Sequence, residues 1–444
     1  MKIVLISPRT AMYRYRVGSF SLFLRYAPLN LVTLASLVPP DLEARVEIYD
    51  ESVERIDRES ISADLVGLTA ITGTSFRAYA YADYFRTKGI TVVMGGPHAT
   101  LLPHEAKKRV DAVVVGHAYE TWPQLLRDFK LGRLKEFYYP PRNIDFQTVP
   151  NPDRRHLQGK PFITLNSTQA VFGCPNTCEF CVTPVICRSQ YEQRPIKDVI
   201  NEIKMMPGKY MTFVDPSPIE NPHYATDLYR AMIPLKKKWT GLATTRLVEC
   251  KELMDVMERS GCKGLLIGFE SLSQSSNNGI KKRFNSVDKY YKLVKELHSR
   301  GIAIMGCFVH GLDDDDKDCF NRTLEFVYTA PVDLPRFTIC VPFPGTPFFN
   351  RLKKENRLLT ENWTLYDAQH VVFRPQKMTA EELDDGHRWI WESAYSFPHI
   401  IERICSSRCF LEFVFLANYG YRRYSKNMKI FNASFMEHDW KLLD

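Results

Sequence analysis

Short runs rich in Val and Ile alternate with helix-length amphipathic segments over the first 130 residues. The runs fall at 2–6, 45–49, 64–68, 91–94 and 111–115, and segments such as 30–38 and 75–88 carry helical periodicity between them. Near-continuous apolar strands joined by helical crossovers predict a doubly wound, five-stranded parallel sheet covered on both faces. In such sheets ligands gather at the carboxyl ends of the strands. Those ends carry Ser7-Pro8, Asp50-Glu51, Thr69 to Gly73, Gly95-Gly96-Pro97-His98 and Gly116-His117.

Periodicity stops at 131–160, a stretch rich in Pro and polar residues, and returns beyond it. Strands are predicted at 163–166, 211–214, 264–267, 304–309 and 336–341, with helices at 196–206, 224–237, 251–260 and 287–300. This second β/α repeat predicts a full or partial β/α barrel. The remainder is mainly helical and dense in aromatic residues. The expected division is 1–140, a linker at 141–160, a barrel at 161–350 and a helical C-terminal region at 351–444.

Composition narrows the class. With 45% hydrophobic and 25% charged residues and a net charge of +8, the chain reads as a soluble globular enzyme, and nucleic acid is not an expected partner. No apolar run reaches the ~18 residues that span a bilayer. The opening MKIVLISP reads as a strand and not as a signal peptide, so a cytoplasmic location is expected. None of the 11 cysteines precedes Cys174, and the next two, Cys178 and Cys181, follow closely. An odd count, clustered in a chain expected to be cytoplasmic, argues for metal binding over disulfides.

The motif Gly173-Cys174-Pro-Asn-Thr-Cys178-Glu-Phe180-Cys181 supplies three soft thiolates, which suit three irons of a cluster and leave a fourth open. Cys187 is the only close neighbour, at a spacing unsuited to a zinc ribbon. C-x3-C-x2-C with aromatic Phe180, followed by a β/α repeat, resembles the radical S-adenosylmethionine superfamily. The resemblance implies a four-iron, four-sulfur cluster on Cys174, Cys178 and Cys181, whose open iron binds S-adenosylmethionine. Reductive cleavage would give a 5′-deoxyadenosyl radical, with electrons from an external donor of flavodoxin or ferredoxin type. It also implies S-adenosylmethionine contacts at Phe180, Asp215, Thr245, Arg246, Glu270, Gly311 and Pro342, which lie in segments matching successive strand ends. From the residues alone, Glu270 and Arg246 read equally well as members of strand-end ion pairs.

The cysteine-free first sheet resembles the cobalamin-binding domain of the cobalamin-dependent subclass, through Pro28-Leu29-Asn30-Leu31, the segment Val93 to Thr100 and the segment Val115 to Thr121. The implied cobalamin contacts are Thr69, Thr72, Gly73, Gly95, Gly96, Pro97, His98, Gly116, His117 and Glu120. Two departures stand. The Asp-x-His-x-x-Gly signature of a lower cobalt ligand is absent, Asp385-Gly-His387 being its nearest match. Relatives carry Gly-Glu-Gly-Glu where this chain has Gly116-His117-Ala118-Tyr119. A lone strand-end histidine such as His98 or His117 reads first as a hydrogen-bonding group.

The implied activity is methylation of an unactivated carbon of a small molecule by way of methylcobalamin, and the aromatic C-terminal region leans the expected substrate towards an apolar or lipid-like one. Ring formation or rearrangement on the same cofactors is the alternative, and a non-enzymatic cobalamin or iron–sulfur sensor a second. A methylthiotransferase is disfavoured, because it would place three more cysteines in the first domain. The C-terminal aromatics read chiefly as core. The apolar run at 413–416, followed by Tyr419 to Lys426, fits either a helix with a solvated basic face or a peripheral membrane contact.

Overall fold

The structure is a computed structural model that describes residues 1–9, 27–146 and 149–437, with side chains through 428. The expected first and last regions therefore each include residues outside this description.

The first sheet is parallel. Its strands are β1 (Lys2–Ser7), β2 (Arg45–Asp50), β3 (Leu65–Thr69), β4 (Thr91–Gly95), β5 (Ala112–Val114) and β6 (Phe137–Tyr138), in the order β2-β1-β3-β4-β5-β6. Period-2 side-chain direction divides β1 between two cores. Val4 and Ile6 pack with Val66, Ala82 and Phe85, while Ile3 and Leu5 pack with Leu31, Trp122 and Leu125 on the other face. The sheet has six strands where five were expected. The extra edge strand is too short to carry a hydrophobic period, and pairing with β5 creates it.

The second sheet holds β7 (Ser167–Thr168), β10 (Tyr210–Phe213), β11 (Lys238–Ala243), β12 (Cys262–Glu270), β13 (Ala303–His310) and β14 (Arg336–Ile339), again all parallel. With helices outside, this is an open, partial β/α barrel. The strand expected at 163–166 forms at Ser167–Thr168 instead, where Ser167 and Thr168 pair with Thr212 and Phe213 of β10, while the Asn166 side-chain amide donates to the carbonyls of Pro207 and Tyr210. Burial alternates along β11, β13 and β14. Trp239, Ile304 and Phe337 are sealed against helices, and Leu242, Met305 and Arg336 face the concave side.

A two-stranded antiparallel hairpin, β8 (Val171–Gly173) and β9 (Tyr191–Gln193), precedes β10. The C-terminal region adds helices Ala380–Ala394, Phe397–Ser407 and Leu411–Glu437. Among the described residues no helix is long and apolar enough to cross a membrane.

Candidate active site

Hairpin β8–β9 closes the loop that carries the three cysteines. Gly173 has φ +80°, and a Cβ there would stand 2.0 Å from the Gln190 carbonyl oxygen, so only glycine lets the strands pair at this point. Cys174, Cys178 and Cys181 are free thiols with partial exposure. The Asn176 amide donates to Cys174 Sγ at 3.3 Å, and the Cys181 N–H to the Cys178 carbonyl at 3.1 Å. Burial pushes the Cys178 thiol up to about 12 and raises Cys181 as well, so these two thiols, when bare, stay protonated at neutral pH. Among the described residues no three His, Cys, Asp or Glu side chains converge on a single ion. Thiolates that each hold a different iron stand farther apart than ligands of one ion, and a three-thiol set suits such a cluster.

The loop is pinned from behind. The Glu179 N–H donates to the Ile280 carbonyl, and its carboxylate accepts from Arg351 at 3.0 and 3.2 Å. Arg351 also holds Asp313 at 2.6 Å, and Arg357 holds the same carboxylate at 2.8 Å. The acidic run at 313–316 is thus structural. Asp315, buried, accepts from the Gly311 and Leu312 amides at 3.1 and 3.0 Å.

Near the cysteine loop lie two buried acids with different partners. Asp215, just beyond β10, accepts through Oδ1 from the Ala170 and Val171 amides, while its buried Oδ2 has no partner. Burial, only partly offset by those two amides, lifts its carboxyl to about 7. Glu270, at φ +61° on the end of β12, accepts from buried Lys282. Burial opposes the Lys282 charge, but Glu270 and the thiols of Cys178 and Cys181 raise its pKa overall. Gly268 makes room for the pair, since a Cβ there would lie 2.3 Å from Glu270 Oε1 and 2.7 Å from Lys282 Nζ. An unpartnered buried carboxyl oxygen after β10 and a buried ion pair at the end of β12 are groups that suit the ammonium and carboxylate of an amino-acid ligand.

Other expected contacts are engaged elsewhere. Arg246 pairs with Glu220 and lies over the Phe284 ring. Thr245 is buried and donates to Asn285 Oδ1 at 2.7 Å. Gly311, at φ +90°, has Leu383 where a Cβ would be. Pro342 is buried in the turn leading to helix Pro347–Lys354, and Phe180 packs on the edge of the barrel core.

A cavity of about 800 Å³ lies between the two sheets. One wall is the carboxyl edge of the first sheet: Ser7, Pro8, Asp50, Thr69, Ile71 and Pro97. These residues flank the point where strand order reverses, between β1 and β3, which is where open α/β sheets take ligands. The opposite wall is the barrel interior, including Thr240, Leu242, Leu266 and Met305, and Phe410, Phe413 and Tyr421 line the C-terminal side. Gly96, at φ +90°, brings its backbone so near Thr69 that a Cβ would stand 2.6 Å from Oγ1.

Residues 169–327 match the Radical SAM superfamily, 26–126 the B12 binding domain and 346–438 a Domain of unknown function (DUF4070). The bacteriochlorophyllide d C-8(2)-methyltransferase of Chlorobaculum tepidum is 31% identical over 79% of this chain and 81% of its own length. The chain belongs to the cobalamin-dependent, methyltransferase-like radical S-adenosylmethionine family. The C-12(1)-methyltransferase of the same organism is 28% identical over 90% of this chain and 89% of that one. In fold, the chain is similar to the radical S-adenosylmethionine methyltransferase TsrM from Kitasatospora setae, with a TM-score of 0.65 at 17% identity, covering 80% of this chain and 78% of that one.

This radical enzyme therefore uses a four-iron, four-sulfur cluster, S-adenosylmethionine and cobalamin. On the cobalamin side the structure divides the expected residues. Thr69 and Pro97 line the cavity, and Gly95-Gly96 form the close backbone approach beside them. Thr72, Gly73 and His98 lie against the turn Trp363–Leu365. A Cβ on Gly73 would stand 3.6 Å from the Tyr366 carbonyl oxygen. His98 is fully buried, 3.0 Å from Tyr79 Oη and 3.2 Å from Glu105, whose carboxylate also accepts from Trp363. Gly116 lies beside Pro140. His117 meets the Phe172 ring at 5.7 Å and Glu120 at 3.5 Å, and burial lowers its pKa to about 4. His117 thus lies beside the cysteine hairpin.

Sequence reasoning missed Lys282, Glu220, Glu179 and Arg351. Each is a charged residue outside the strand-end motifs, and only its partner, distant in sequence or across a turn, gives it a place in the site.

Proposed function

We propose that this enzyme methylates an unactivated carbon of an apolar or lipid-like small molecule held between its two sheets. The observation that carries the reading is the mostly apolar cavity of about 800 Å³, walled on one side by the strand ends of the first sheet and on the other by the barrel. When bound, the cluster with S-adenosylmethionine supplies hydrogen abstraction, and cobalamin supplies the methyl group. Cys174, Cys178 and Cys181 would hold the cluster; Asp215, with its open Oδ2, would take the S-adenosylmethionine ammonium, and Lys282, paired with Glu270, would bind its carboxylate. Thr69, Gly96 and Pro97 bound the cobalamin slot. Apolar walls from Leu242, Leu266 and Met305 orient the substrate and exclude water. Both relatives are named for bacteriochlorophyllide d; the reaction class is extended to this chain and that substrate is not.

Electrons come from a flavodoxin- or ferredoxin-type donor in the cytoplasm. Peripheral membrane contact is supported by the exposed apolar side chains of Leu411, Phe415, Leu416 and Tyr419 on the helix that closes the cavity and of Phe397 and Ile401 on the helix before it. The test is anaerobic reconstitution with iron, sulfide and cobalamin, then incubation with methyl-labelled S-adenosylmethionine and an apolar extract of the source cells. Methylation gives an apolar product heavier by one labelled CH2. Release of 5′-deoxyadenosine with hydrogen loss and no label would assign ring formation instead.

A further inference from the structure

The concave face of the barrel carries a cation without an acidic partner among the described residues. Arg336, the first residue of β14, lines the cavity between the sheets. It is half-buried, its Nε is shut from solvent without a hydrogen-bond partner, and none of its interactions is with a carboxylate among the described residues. The cavity it lines is mostly apolar, with Met305 and Leu334 on the barrel and Phe413 and Tyr421 from the last helix. Taking a guanidinium partly out of water costs several kcal/mol unless an anion or other acceptors replace the hydration.

The other charged groups nearby are already engaged. Asp50, across the cavity, accepts from the Ser52 amide at 2.9 Å and from the Ser52 hydroxyl. Lys282 is neutralised by Glu270. Register places Gly268, Cys307 and Arg336 side by side on β12, β13 and β14. The Gly268 end of that row is occupied by the Glu270–Lys282 pair, and the Arg336 end is open. A guanidinium presents a planar fork of donors that matches a carboxylate or phosphate with two parallel hydrogen bonds.

We propose that Arg336 is a specificity-determining residue that binds an acidic group, a carboxylate or phosphate, on an otherwise apolar substrate. The proposal deepens the methyltransferase reading by naming the substrate class as an apolar acid. One ionic contact in an apolar chamber fixes the substrate end-on, so that the same carbon is presented at each turnover.

The experiment compares acids with their own methyl esters on the protein reconstituted with cluster and cobalamin. The probes are oleate with methyl oleate and 1-pyrenebutyrate with its methyl ester, titrated anaerobically by calorimetry. Each acid is expected to bind at least about tenfold more tightly than its ester. In Arg336→Gln the ratio falls to about one while ester affinity is kept, and Arg336→Lys retains part of the preference. Equal binding of acid and ester, or no binding of either acid, would overturn the proposal. So would loss of S-adenosylmethionine affinity or cobalamin retention in Arg336→Gln, since the anion would then belong to a cofactor. Failure of the methyltransferase reading is separable: label transfer would be absent while the acid preference persists.

Discussion

At the residue scale the site works through groups whose ionisation the fold has altered. Asp215 is the sharpest case. With its carboxyl lifted to about 7 by burial, the folded chain keeps a proton that the unfolded chain releases near pH 4. Stability of the cofactor-free protein therefore falls as pH rises from about 4 to about 7, by an amount on the order of a few kcal/mol, and then levels off. Asp215→Asn removes this slope, read from urea midpoints across that range. The same substitution weakens S-adenosylmethionine binding at pH 8 by about tenfold or more, through loss of a charge-assisted bond. A variant with the wild-type pH slope would show that another group titrates. Single Cys174→Ala, Cys178→Ala and Cys181→Ala substitutions each abolish the charge-transfer absorbance of the reconstituted cluster. Cys187→Ala leaves it, although Cys187 is buried close by and its thiol is pushed up to about 12 by burial.

At the element scale the cysteine loop depends on two short strands with little sequence signal of their own. Gly173→Ala places a methyl group 2.0 Å from the Gln190 carbonyl oxygen at φ +80°. Gly208 has a similar φ of +71° but nothing within 4 Å, so it serves as the control. Gly208→Ala costs about 1 kcal/mol in melting free energy from backbone strain alone. Gly173→Ala costs roughly 2 kcal/mol or more and lowers iron content after reconstitution. Equal costs for the two would mean that the hairpin tolerates separation. This hairpin was not legible in the sequence, because three-residue strands carry too little periodicity. The longer strands were legible, since KIVLIS and AIMGCFVH each present two buried faces or one.

At the scale of the whole molecule, the cavity belongs to no single region. Its walls come from the first sheet, the barrel and helix Leu411–Glu437. The indole of Trp363 donates to Glu105 at 3.1 Å, fastening the C-terminal region to the first sheet across 258 residues of chain. Because Leu266 borders open space, Leu266→Trp fills volume without rebuilding a packed core. The expected result is a melting temperature within a few degrees of wild type, normal cluster content and at least tenfold slower label transfer. Unchanged turnover would place the substrate outside the barrel.

The sequence by itself determined the two β/α repeats, the spacing of the cysteine triad and the absence of a bilayer-length apolar run. Each is written locally: strand periodicity in successive residues, thiolate spacing within one loop, and hydropathy along a single segment. Only the tertiary structure decided which expected residues meet the cavity. Thr69 and Pro97 reach it, whereas His98 is spent on Tyr79 and Glu105, and Arg246 on Glu220. Only the tertiary structure left Arg336 on the wall of a mostly apolar chamber without a carboxylate partner among the described residues. A side chain's partner depends on which distant strands lie side by side, and charge in a sequence carries no record of that pairing.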